Sequence, residues 1–364
     1  MTPLPRPSVL LVTAEARTAV TGNATTADRY ARGLAARGLP TTLLRLPDHP
    51  APEDVVAVAQ RTRPSVVHAI HARHAGPAAV VASRASGAPL VVTSGGTDLD
   101  QDLFVPARAA VVRGVLAAAS ALLVHHPEAR DAARALGLPL AVLLVPKGVE
   151  VPPRKAPPDP ARFGAGEDDL VLALPAGVRP VKNNRFAVAL AARLHAEGFP
   201  VRLVLAGATR DEAYAAALRG DLARAPCATW PGPLAPDDLE ALYATASVVL
   251  NVSHSEGGSN ALLEAMARGV AVLASDVPGN RRLLAAAEDR AEAGWLYRTA
   301  PSGIPGAPAH DLEDASRRLR ALLTSPVLRQ RLGAAARERV ALDHDPEAEV
   351  DGVLAAYRVA LAPR

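Results

Sequence analysis

Two carboxylates and two cations stand out in this chain because their spacing suits a polar, negatively charged ligand. Glu256 and Glu264 are separated by seven residues and enclose Gly257, Gly258, Ser259 and Asn260. Carboxylates accept hydrogen bonds from vicinal hydroxyls, as on a sugar or a ribose. The two glycines let the backbone approach a ligand closely, and the amides from Gly258 onward fall where a helix N-terminus offers unpaired donors to a phosphate. Arg179 and Lys182, three residues apart on a turn bearing Gly177 and Pro180, can aim both charges at one diphosphate. The plain structural alternative is that Glu264 complements a helix dipole, while Glu256, Arg179 and Lys182 are solvated loop groups.

The elements needed to position these groups are legible around them. Val248 to Val252 is a short apolar run, 253–260 is polar, Ala261 to Arg268 is rich in helix formers, and Gly269 stops it. A second apolar run, Val270 to Ala274, ends at Ser275, Asp276 and Pro278. This predicts a strand-loop-helix-strand unit of a parallel sheet, whose ligands bind beyond the carboxyl ends of the strands. Leu170 to Leu174 ahead of Arg179, and Val201 to Ala206, supply further strands, with a helix expected over Asp237 to Thr245.

The stretch SEGGSNALLEAMARGVAVLASDVPGN resembles the nucleotide-sugar signature of the retaining glycosyltransferases of family four, which have the GT-B fold. PAGVRPVKNN resembles that family's phosphate turn, and PKGVEV its segment at the domain boundary, with Lys147 in place of asparagine. The resemblance implies an α/β protein of two Rossmann-like domains facing each other across a cleft. It implies that Glu256 contacts the transferred sugar, with Arg179 and Lys182 completing the catalytic set on the diphosphate. The donor-binding set would be Glu264 at the ribose, Gly257, Gly258, Ser259, Asn260, and Gly22 with Asn23 from the first domain. TWPGPL, residues 229–234, would meet the base through its backbone. A UDP-sugar is the expected donor, although backbone recognition leaves uridine, guanosine and adenosine open. No paired-aspartate metal motif accompanies the site, so neither a metal nor another cofactor is expected.

In the first half, Val9 to Thr13, Leu43 to Leu46, Val66 to Ile70 and Leu90 to Thr93 read as strands alternating with helical stretches, which is an α/β pattern. TGNATT, residues 21–26, reads as a loop before a helix beginning near Ala27. His68, His71 and His74 suggest a metal cluster, but i, i+3, i+6 spacing starting on a strand does not put three imidazoles on one face, and no acidic partner stands in a recognisable motif. The segment more closely resembles the family's strand-end histidines, which implies that His71 and Arg73 face an acceptor. SGGTD has Gly95 where related members have a histidine that approaches the sugar's primary hydroxyl. Together with TGN, it resembles the glycosyltransferase one domain-containing and selenosugar synthase branches. Asp98 reads either as an acceptor-binding carboxylate or as a cap for the following helix.

Composition narrows the class. The 364 residues are enough for two cores, and 49% hydrophobic content without any apolar run near ~20 residues predicts no membrane span. The net charge of +3 is spread along the chain, so nucleic acid is not an expected partner. A single cysteine, Cys227, excludes an internal disulfide, and no signal peptide is read at the start; both fit a cytoplasmic protein. Six prolines between Pro146 and Pro160 mark the boundary. The expected organisation is an acceptor-side domain over 1–150, a linker over 151–166, a nucleotide-sugar domain over 167–345, and a final helix in 346–364 packing back on the first domain. Three functions compete: transfer to an ordinary hydroxyl acceptor, transfer to selenophosphate or a similar sulfur or selenium anion, and nucleotide-sugar binding without catalysis.

Overall fold

The computed structural model describes residues 7–19, 21–49, 51–150, 160–286, 291–300 and 308–362. Most of the expected linker, residues 151–159, lies outside them. The chain forms two compact units: Met1–Gly148 together with Asp345–Arg364, and Val149–His344.

The first unit is built on six parallel strands: β1 (Val9–Thr13), β2 (Thr41–Arg45), β3 (Val66–Ile70), β4 (Leu90–Thr93), β5 (Ala119–Val124) and β6 (Ala141–Leu144). Their order is β2-β1-β3-β4-β5-β6. Every residue of β1, β3 and β4 is buried, as expected of strands covered on both faces. Alternate residues serve the two faces. Leu10, Val12, Val67, Ala69 and Val92 join a core with the helices Pro52–Thr62, Gly76–Ser86 and Pro106–Ala118. Val9, Leu11, Val66, Ile70 and Val91 join Ala27, Tyr30, Val350, Val353 and Tyr357 on the opposite face. The last three belong to the helix Pro346–Leu361, which returns to this unit.

That helix is pinned by polar as well as apolar contacts. Glu349, with a side chain 0% exposed, receives Arg29 Nη2 at 3.0 Å and Nε at 2.5 Å. Tyr357 hydroxyl lies 2.8 Å from His68 Nδ1, and His68 Nε2 lies 2.7 Å from Thr93 Oγ1. Burial lowers the His68 pKa to about 3, so this histidine is a neutral core residue.

The second unit repeats the plan with β7 (Leu170–Pro175), β8 (Val201–Ala206), β9 (Ala228–Gly232), β10 (Val248–Asn251), β11 (Val272–Ser275) and β12 (Trp295–Tyr297), in the order β12-β11-β10-β7-β8-β9. Cys227 is a buried core residue beside β8 and β9. The strand β12 was not expected: only Leu296 and its two aromatic neighbours mark it, too short a run to signal a strand. In each unit the strand order reverses once, between β1 and β3 and between β7 and β10. Crevices at the carboxyl ends of such neighbours are where open parallel sheets hold ligands.

One helix begins earlier than expected. Gly22–Ala36 includes the GNATT segment because Thr21 caps it, Oγ1 accepting the Ala24 amide at 3.1 Å, so TGNATT is a first helical turn and not a free loop. No helix among the described residues is long and apolar enough to cross a membrane.

Candidate active site

In the second unit the reversal between β7 and β10 brings the cationic turn and the carboxylate loop together. After β7 the chain runs through Arg179 into a short 3-10 turn, Pro180–Lys182, and leaves it at Asn183 in the left-handed region (φ 50, ψ 37). The amide of His254 donates to Val181 O at 2.8 Å, stitching this turn to the loop after β10. Across that stitch Lys182 Nζ donates to Glu256 Oε1 at 2.6 Å.

Glu256 is held from several sides. The same Oε1 receives Ser253 Oγ at 2.7 Å and Asn251 Nδ2 at 3.0 Å. Asn251 Nδ2 also reaches Ser259 Oγ at 3.0 Å, and its Oδ1 accepts from Asn280 Nδ2 at 3.2 Å. Burial alone would push the Glu256 carboxyl up. The Lys182 charge and the hydrogen bonds from Lys182, Ser253 and Asn251 outweigh burial and hold it below its ordinary value, so it is ionised at neutral pH.

Backbone geometry shapes the rest of the loop. Gly258 has φ 126, which a side chain rarely tolerates. A Cβ on Gly279 would fall 2.0 Å from Glu256 O, so only glycine fits where the start of the helix Pro278–Leu284 meets this loop. Ser259 is the N-cap of Asn260–Ala267, its Oγ accepting the Leu262 amide at 3.3 Å. Gly257 and Ser259 are buried, whereas Gly258, Asn260 and Glu264 are half-buried. Glu264 is held by a different partner from those of Glu256: Tyr243 hydroxyl donates to its Oε2 at 2.8 Å. Arg179 is half-buried and extended at the entry of the turn.

Asn251, Ser253, Asn280 and Tyr243 escaped the sequence reading. A signal for Asn251 existed in retrospect: an amide closing the apolar run VVL, where the strand would otherwise continue apolar, marks a side chain with buried partners to satisfy.

In the first unit, Asp98 settles one of the open alternatives. It is 0% exposed and accepts from Ser94 Oγ (2.6 Å) and the amides of Ala72 (2.8 Å), Gly95 (3.2 Å), Gly96 (3.1 Å) and Leu99 (3.1 Å). Burial pushes its carboxyl up, but the His71 contribution and these hydrogen bonds hold it below the usual range. With its acceptor capacity spent on the scaffold, it anchors the loops after β3 and β4 and is not an acceptor-binding carboxylate.

His71 is buried and holds an unusual backbone, φ 84. Its Nδ1 accepts from the amides of Arg73 (3.2 Å) and His74 (3.4 Å), which leaves Nε2 to donate to Thr97 Oγ1 at 3.0 Å. The ring fills the space beside Gly95: a Cβ there would lie 2.4 Å from His71 Cδ2 and 3.2 Å from Asn23 Oδ1. The three histidines do not gather on one face, as their spacing implies, but two of them meet an acid that the local sequence does not show. His68 is indeed separate, but the His71 and His74 rings approach to 4.3 Å, and ligand atoms of His71, His74 and Asp102 fall within 4.8 Å of one another. Asp102, the acidic partner absent from the local sequence, is brought in from the segment after β4. Its Oδ1 faces Arg73 Nη1 at 3.3 Å and Arg108 Nη1 at 3.5 Å, so guanidinium groups already neutralise this carboxylate. Gly22 is exposed and Asn23 half-buried at the start of their helix.

Residues 157–339 match the family model described as glycosyl transferases group 1, and residues 9–148 match the glycosyl transferase 4-like domain. The chain is 26% identical over 273 residues, 72% of its length and 74% of the relative's, to glycosyltransferase 1 domain-containing protein 1 of Xenopus tropicalis. In fold it is similar to Anabaena HepE, solved in complex with UDP and glucose (TM-score 0.76, 15% identity, 96% of this chain and 99% of that one). It is likewise similar to sucrose-phosphate synthase of Thermosynechococcus elongatus (TM-score 0.77, 17% identity, 97% and 98%). These likenesses, with two parallel six-stranded sheets, establish the GT-B fold.

Proposed function

The chain belongs to the glycosyl transferases group 1 family, and from that premise we propose a retaining, metal-independent transfer of a sugar from a nucleotide-diphosphate sugar to an acceptor held by the first unit. The observation that carries this reading is the Lys182–Glu256 pair at the strand-order reversal of the second unit, a cation and an ionised carboxylate held together in a polar loop. Lys182, with Arg179 and the first amides of Asn260–Ala267, neutralises the diphosphate. Glu256 faces the sugar, where a carboxylate stabilises positive charge developing at the anomeric carbon. Glu264 takes the ribose. As the bond between the anomeric carbon and the phosphate oxygen breaks, the acceptor attacks from the same face and its proton passes to the departing phosphate, so the configuration is kept. The UDP bound by HepE supports a uridine donor.

A second acceptor class has one observation in its favour. Arg73 and Arg108 share the single carboxylate of Asp102, which leaves a surplus positive charge that suits a small anion such as selenophosphate.

The test is transfer assayed with a panel of nucleotide-sugars against hydroxyl acceptors and small anions, in excess chelator, with the product anomer assigned by NMR. Retained configuration and chelator-insensitive turnover are expected. An inverted product, or activity restored only by a divalent ion, refutes the proposal.

A further inference from the structure

Glu264 is followed four residues later by Arg268, a spacing at which acid and base on one helix face ordinarily pair. Here Arg268 is committed elsewhere. Its Nε donates to Glu240 Oε2 at 3.0 Å, Nη2 meets the other oxygen of Glu240, and Nη1 donates to the main-chain oxygen of Glu264 at 2.6 Å. Its guanidinium carbon lies 4.8 Å from the centre of the Tyr243 ring, an attractive cation-π arrangement. Tyr243 is 1% exposed and donates its hydroxyl to Glu264 Oε2 at 2.8 Å. Glu240 and Tyr243 stand three residues apart on the helix Pro236–Thr245. Burial, and then the charge of Glu264, push the phenol well above its ordinary value, so the hydroxyl keeps its proton.

We propose that Tyr243 is the positioning residue for the ribose carboxylate. Glu240 draws Arg268 onto the tyrosine ring, the ring is thereby fixed, and its hydroxyl fixes Glu264 in one rotamer. An ionised carboxylate has about four acceptor sites, more than a single phenol can fill. A neutral donor orients the carboxylate without competing for it as strongly as a guanidinium would. Holding a long, flexible glutamate in its bound rotamer removes an ordering cost from nucleotide binding. The proposal rests on the reading of Glu264 as the ribose ligand.

The experiment compares UDP with 2′,3′-dideoxy-UDP by calorimetry on the wild type, Tyr243→Phe, Glu264→Gln and Glu240→Gln. The wild type should prefer UDP, and Glu264→Gln should erase that preference. Tyr243→Phe keeps the ring. It should weaken UDP about five- to tenfold while leaving dideoxy-UDP within about twofold. Glu240→Gln, on a partly exposed side chain, should narrow the gap in the same sense and guards against a folding defect in the tyrosine variant. If Tyr243→Phe keeps the full preference, or weakens both ligands alike, while Glu264→Gln erases it, Tyr243 does not position the carboxylate. If Glu264→Gln itself keeps the preference, the ribose assignment fails and the proposal falls with it.

Discussion

Lys182 Nζ rests 2.6 Å from Glu256 Oε1 although 74 residues separate the two in the chain. The contact spans the two loops that leave β7 and β10 at the point where the strand order reverses, so it exists only once this half of the sheet is assembled. Removing the lysine leaves a buried carboxylate without its cation. Lys182→Ala should lower nucleoside diphosphate affinity about 10- to 100-fold, the equivalent of a charge-assisted hydrogen bond, as read by calorimetry. The variant should also unfold at a lower temperature at pH 7. Glu256 titrates below its ordinary value of 4.5 in the folded state, so its contribution is complete above that value and is lost as pH falls through the folded one. The difference in Tm between wild type and variant should therefore shrink as the pH falls below 4.5.

Glu256 and Glu264 have separate partners, Lys182, Ser253 and Asn251 for the first and Tyr243 for the second, and should be separable in kinetics. Glu264→Gln should weaken nucleoside diphosphate and nucleotide-sugar alike. Glu256→Gln should chiefly lower kcat, because a contact that strengthens as charge develops acts on the transition state. Equal loss of nucleotide affinity in both variants would show that the sugar and ribose roles are misassigned.

Gly95 and His71 should be coupled. A Cβ at 95 collides with the His71 ring, so Gly95→Ala should cost about 1–3 kcal/mol in denaturant unfolding. In the double variant with His71→Ala the space is vacated, and the combined loss should fall short of the sum of the singles. Strict additivity would mean that the ring relaxes without cost.

The pair of Arg29 with Glu349 is almost wholly dry, with side chains 5% and 0% exposed. Breaking such a pair strands a charge, and Glu349→Ala should cost about 3–5 kcal/mol. That is a large share of the ~5–15 kcal/mol by which domains are stable, so a sharp fall in Tm is expected.

The parallel sheets were legible because strands buried on both faces are continuous apolar runs. The polar loops after them were legible because glycines, acids and cations interrupt those runs. The partners of Glu256 were less so. Asn251 and Ser253 close the same strand and loop that carry Glu256, but Lys182 comes from the turn after β7 and Asn280, which holds Asn251, from the helix after β11, so the set meets only once β7, β10 and β11 lie side by side. Neither Asp102 beside His71 nor Tyr243 beside Glu264 could be paired by local spacing, since each contact depends on where neighbouring helices are laid down. Asp98 stayed open between two readings because a carboxylate after two glycines looks the same in sequence whether it faces a ligand or five internal donors.

The return of the helix Pro346–Leu361 to the first unit has a consequence for biosynthesis. A ribosome delivers this helix only after the entire second unit has emerged, yet Val350, Val353 and Tyr357 fill one face of the first unit's sheet and Glu349 neutralises its buried Arg29. Until then the earlier half lacks part of the cover of that face and the carboxylate that pairs with Arg29. Nascent chains stalled before residue 346 should accordingly be held by chaperones and cut readily within β1 to β6, whereas the second unit, whose residues 149–344 are contiguous, can fold as soon as it clears the exit tunnel.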